Sequence, residues 1–127
     1  MNSERNTEPA TSAAPVRRFT DPAYQPLAAT LAEVRANIDR LDDQIVALIA
    51  ERAMYVKDAT RFKRDAFQVS APARQAEVFA KVRALAGKHN RGFGGLPDVT
   101  EAAYRALVAA FIANEQSYFA QTEALAP

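Results

Sequence analysis

The feature that most constrains this chain is a run of apolar residues at alternating spacings of three and four: Leu31, Val34, Ile38, Leu41, Ile45, Leu48, then Tyr55, Ala59 and Phe62. Such spacings draw an apolar stripe along one face of an α-helix, and no proline or glycine interrupts the segment before Pro72. Thr30-Leu31-Ala32-Glu33 has the form of a capping box, so the helix is expected to start at Leu31. Ending near Phe67, it would be ~55 Å long at ~1.5 Å per residue. A compact domain of ~100 residues has a radius of gyration of only ~13 Å, so the rod must project beyond its own globule. Two such rods packed along the heptad-like stripe cover each other most simply, which points to a homodimer.

The remaining organisation follows from punctuation. Residues 1–26 hold four of the seven prolines and no periodicity, and read as a disordered tail ahead of one helical domain over 27–123. Arg17 and Arg18 in that tail read as a solvated pair. Ser70-Ala71-Pro72 is expected to open a second helix, with Ser70 as its cap and Val78, Val82 and Leu85 as its stripe. After a glycine-rich loop at 91–95, Asp98 and Glu101 form a second capping box. The third helix then runs to about Glu123. The fold class is therefore all-α, with three helices per chain, one of them very long.

Charged residues break these stripes at telling places. Arg52 interrupts the first, and a guanidinium on a burying face is either snorkelling to water or held for an anion. Lys63 lies eleven residues on, nearly in line with it and ~16 Å further along the axis. On the third helix the stripe Tyr104, Val108, Phe111 and Tyr118 is completed by Glu115, a carboxyl group where an apolar side chain is due. Two readings fit: a structural ion pair between Arg52 and Glu115, with Lys63 snorkelling, or a site for an acidic small molecule.

Composition narrows the partners. Sixteen basic residues against fifteen acidic ones leave a net charge of +1, with no global field to gather nucleic acid or an anionic membrane, so an anion site must be local. The absence of cysteine excludes disulfides and thiolate zinc sites and fits a reducing compartment. His89, the one histidine, stands near a helix end and is given no role; no metal site is expected. No apolar run resembles a signal peptide or a membrane span, so a cytoplasmic protein is expected.

Arg35, Arg52 and Lys63, with the segments Val34 to Asp42, Glu51-Arg52, Tyr55-Val56-Lys57 and Arg61-Phe62-Lys63, resemble the all-helical, type II chorismate mutases. The Tyr-Val-Lys and Arg-Phe-Lys segments, with Ala71-Pro72 after them, are also similar to the isochorismate pyruvate lyases of that class. The resemblance covers about residues 27 to 122. It implies an intertwined dimer with two identical pockets, each taking Arg35 from one subunit and Arg52 and Lys63 from the other. Helix geometry agrees, because Arg35 and Arg52 stand ~25 Å apart along one rod. The implied substrate is a dicarboxylate, chorismate or isochorismate, and the implied chemistry needs no cofactor. Arg35, Arg52 and Arg74 would bind substrate, while Lys63 and Glu115 would serve the ether oxygen as catalytic groups. Where typical mutases carry a glutamate for the substrate hydroxyl, this chain has Ala73, beside Arg74. The resemblance and the residues together are compatible with a chorismate mutase, an isochorismate pyruvate lyase, or a non-catalytic helical dimer that binds an acidic metabolite.

Overall fold

The computed structural model describes residues 7–126, which leaves the first six residues of the expected tail outside it. It is all-helical, with no strand among the described residues. Three long helices are present: α1 (Leu31–Ala59), α3 (Pro72–His89) and α4 (Leu96–Phe119). A 3-10 turn, Thr60–Phe62, and a short helix α2, Ala66–Ser70, join the first to the second. The chain divides into two compact units, Met1–Ala50 and Glu51–Pro127.

In the N-terminal unit, residues 7–29 form turns and bends, and the rings of Phe19 and Tyr24 lie 4.5 Å apart. The start of α1 is capped as its sequence requires, since the Thr30 hydroxyl accepts from the Glu33 amide at 3.2 Å. Glu33 reaches one residue beyond the usual box and accepts from the Ala29 amide at 3.2 Å. The carbonyl of Thr11 takes a further free amide, that of Ala32, at 2.9 Å. The apolar stripe then lies open: Val34, Ile38, Leu41, Ile45 and Leu48 are 39% to 64% exposed, and α1 buries none of its residues.

The C-terminal unit holds the core, built on Val69 of α2, Val82 and Ala86 of α3 and Val108 of α4. The expected continuation of the first helix to Phe67 is not observed, and local hydrogen bonding supplies the reason. Thr60, almost fully buried, turns its hydroxyl onto the Val56 carbonyl at 3.4 Å, and the chain tightens there into a 3-10 turn. Lys63 is extended, and Asp65 accepts from the Gln68 amide at 2.9 Å, which starts α2 afresh. The 29 residues of α1 thus span ~43 Å rather than ~55 Å.

Two other helix starts also differ from expectation. Ser70 closes α2 instead of capping α3; the junction residue is Ala71, in the left-handed region at φ 46°, followed by Pro72 in the first turn of α3. Likewise α4 starts at Leu96, ahead of Asp98, because Gly95 takes the cap position at φ 75°, a conformation that glycine adopts without steric cost. Asp98 and Glu101 are instead drawn to Arg83 of α3, each at 2.9 Å, and Glu101 also holds Arg105 at 2.7 Å. These pairs tie the start of α4 to α3. The third helix ends at Phe119, four residues short of Glu123, and Thr122 turns its hydroxyl back to the Phe119 carbonyl at 2.6 Å.

Candidate active site

Within the C-terminal unit a cavity of about 290 Å³ opens between the end of α1, α2, the first turns of α3, and α4. Arg52, Lys63, Arg74 and Glu115 all line it, although they come from four different segments. Arg52 and Glu115 arrive by helical periodicity, each as the polar member of an apolar stripe. Lys63 arrives by a different route from the one its spacing suggested. It does not lie in line with Arg52 on one rod; the 3-10 turn ends α1, and the extended backbone at Lys63 leads the chain over the cavity. Arg35 is not among the lining residues; it sits on the exposed first half of α1, in the N-terminal unit.

The apolar wall is formed by Val56, Val69, Val108, Phe111 and Ile112. Against it the Arg52 guanidinium is held between two rings, 5.3 Å from the centroid of Phe111 and 6.0 Å from that of Tyr104. Its Nη1 is buried and has no hydrogen-bond partner. The same is true of Glu115 Oε2, on a residue only 6% exposed. Arg52 and Glu115 are not paired with each other among the ion pairs of the described residues, so the interhelical salt bridge drawn from the sequence is not formed. An unpartnered guanidinium N–H costs free energy unless a ligand takes it, and a carboxylate on the ligand matches it best.

Lys63 donates from Nζ to the Gln68 carbonyl at 3.1 Å, which leaves two ammonium protons free for another acceptor. Arg74 stands at the margin, with its Nη1 on Glu77 at 2.7 Å. Burial raises the pKa of Glu115 above the ordinary carboxylate value, and this outweighs the Lys63 ammonium and the Thr60 hydroxyl, both of which favour the ionised form. In its protonated form a carboxyl group donates a hydrogen bond, so Glu115 can add a donor to those of Arg52 and Lys63 in the same cavity.

Sequence reasoning did not single out Gln75, which lines the cavity and donates from Nε2 to the Ser70 carbonyl at 2.6 Å. Its polar position on the first turn of α3, close after Pro72, was the available signal, but it reads as an ordinary solvated residue until the left-handed turn at Ala71 is known. Thr60 was missed for a similar reason. As the residue next to the stripe it carries no mark until the helix ends beneath it.

Comparison with known proteins identifies the family. The family model for chorismate mutase type II matches residues 34–116. A chorismate mutase of Methanocaldococcus jannaschii is 36% identical over 61 residues, which is 47% of this chain and 62% of that protein's own length. An isochorismate pyruvate lyase of Pseudomonas aeruginosa is 33% identical over 96 residues, 76% of this chain and 91% of the relative. With its all-helical fold and a family match that runs from α1 through most of α4, the chain belongs to the chorismate mutase type II family.

Proposed function

We propose that this protein is a chorismate mutase, which converts chorismate to prephenate by an intramolecular rearrangement. The observation that carries the reading is the buried, unpartnered Nη1 of Arg52 in a cavity that also holds Lys63 and Glu115. Chorismate carries two carboxylates and an enolpyruvyl ether. Its rearrangement passes through a chair-like transition state in which the breaking C–O bond leaves negative charge on the ether oxygen. No nucleophile is required. The enzyme has to hold the reactive conformer and meet that charge as it develops.

Arg52 receives one carboxylate with a guanidinium already oriented by Phe111 and Tyr104. Arg74 adds positive charge at the margin. Lys63 turns its free ammonium protons to the ether oxygen, and protonated Glu115 donates to the same atom. Donors of this kind are typically worth ~3 to 4 kcal/mol each in the transition state. Arg35 supplies the grip on the second carboxylate from a partner subunit, with the exposed stripe of α1 covered by its own copy. The support for that assembly is the stripe itself, whose five apolar side chains face no core of their own.

Lyase activity on isochorismate, giving salicylate and pyruvate, is the second reading. It is favoured by Ala73, which offers no carboxylate for the substrate hydroxyl, and by the similarity that spans nearly all of the P. aeruginosa lyase. The deciding experiment incubates purified protein with chorismate and, separately, with isochorismate, and identifies the products by chromatography. Prephenate from chorismate supports the mutase. Salicylate without prephenate would move the assignment to the lyase, and binding of either compound without turnover would leave a metabolite-binding dimer.

A further inference from the structure

Lys63 is carried by a segment with little stability of its own. Helix α2 has five residues, far below the length at which an isolated helix persists in water. Within the segment the hydrogen bonds are local: Asp65 accepts from the Gln68 amide at 2.9 Å, and the Gln68 side chain accepts from the Arg64 amide at 2.7 Å. These bonds fix the segment's shape but not its place over the cavity. Val69 of α2 is buried, 1% exposed, and one polar side chain of α4 bonds directly to α2. That side chain is Gln116, whose Nε2 donates to the Ala66 carbonyl at 2.9 Å and reaches Ser70 Oγ at 3.4 Å. The amide thus bonds to both ends of α2. Between them lies Gln68, whose carbonyl holds the Lys63 ammonium at 3.1 Å.

We infer that Gln116 is a positioning residue for Lys63: by latching both ends of α2 to α4 it fixes the Gln68 carbonyl, and through it the direction in which the Lys63 ammonium presents its remaining protons. Gln116 is adjacent to Glu115, about 100° around the helix, so α4 presents one donor group to the cavity and uses the next residue to hold the segment that brings the other. The inference rests on the reading of Lys63 as a donor to the ether oxygen.

The test is a double-mutant cycle in the full-length protein with Gln116→Glu, Lys63→Met and the pair together. Gln116→Glu keeps size and helical propensity but removes the donated bond to Ala66. Lys63→Met should lower kcat by about 10² to 10³ as a lost transition-state donor. Gln116→Glu should lower kcat by about tenfold, as expected for a slight misplacement of that donor, with KM little changed because Arg52 is untouched. In the Lys63→Met background the Gln116 substitution should cost nothing further, since the group it positions is already gone. A Gln116→Glu protein with full kcat overturns the inference, and so does a loss that persists undiminished beside Lys63→Met. If Gln116→Glu misfolds, Gln116→Leu takes its place in the cycle; if both lose their helical fold, Gln116 is structural and the inference is wrong. The parent reading fails separately: Lys63→Met with wild-type turnover, or wild-type protein that turns over neither chorismate nor isochorismate, would remove the role of Lys63 and this inference with it.

Discussion

At the scale of the residue, the chemistry proposed for the cavity turns on Glu115 and Arg52. Glu115 holds its proton more tightly in the folded chain than in water because burial disfavours its charge. The folded state therefore binds more protons than the unfolded one between the ordinary value of 4.5 and the raised value. Stability from this group is fully present below pH 4.5 and is lost as pH rises through the folded-state pKa. Glu115→Gln should thus raise Tm at neutral pH and have no such effect at pH 4, as checked by thermal unfolding at both. Activity should follow the same proton: wild-type kcat/KM falls as pH rises, while Glu115→Gln, a donor at every pH, retains activity and flattens the fall. A profile that falls identically in the variant would remove Glu115 from the mechanism. Arg52 gives the opposite pairing of effects. Replacing it with Met should cost at least about 10²-fold in kcat/KM yet leave Tm unchanged or higher, because the desolvation cost of the unpartnered Nη1 offsets what the guanidinium gains against the Phe111 and Tyr104 rings. Both residues were legible in the sequence as polar breaks in apolar stripes. Gln75 was not, since its place in the cavity depends on a backbone turn that periodicity does not encode.

At the scale of the element, the junctions matter more than the rods. Ala71 connects α2 to α3 at φ 46° and ψ 62°, a region that strains any residue with a Cβ. Ala71→Gly should therefore stabilise the protein by about 0.5 to 1 kcal/mol, the strain relieved less the extra freedom glycine gives the unfolded chain. A shift of the urea midpoint to higher concentration would show it, and a shift to lower concentration would mean that the strain is absorbed elsewhere. The three long helices could be read from the sequence because spacings of three and four are a property of the whole segment. Apart from the Thr30 cap that starts α1, their ends could not. Asp98-Val99-Thr100-Glu101 has the composition of a cap, but Gly95 takes that position first and Arg83 recruits both carboxylates. Thr60 and Asp65 likewise end one helix and begin the next through single side-chain bonds that compete with a continuing helix on nearly equal terms.

At the scale of the whole molecule, α1 buries none of its residues within its own chain, and its apolar stripe is open to a second copy. On the proposed pairing, the unfolding midpoint should rise with protein concentration. Leu41→Asp, which puts a charge in the middle of the stripe, should yield monomers by sedimentation and abolish activity although every cavity-lining side chain is intact. A monomeric, fully active wild type would end that account. Arg35 is on α1 and is not among the residues that line its own chain's cavity, so the proposed pairing predicts the outcome of a genetic cross. Two alleles, one bearing Arg35→Ala and the other Arg52→Ala, should complement in trans, because their mixed dimer has one pocket with both arginines and one with neither. The same two lesions placed in cis should behave in the opposite way. A doubly altered chain paired with a normal one leaves each pocket short of one arginine, so the double allele is dominant-negative where neither single allele is.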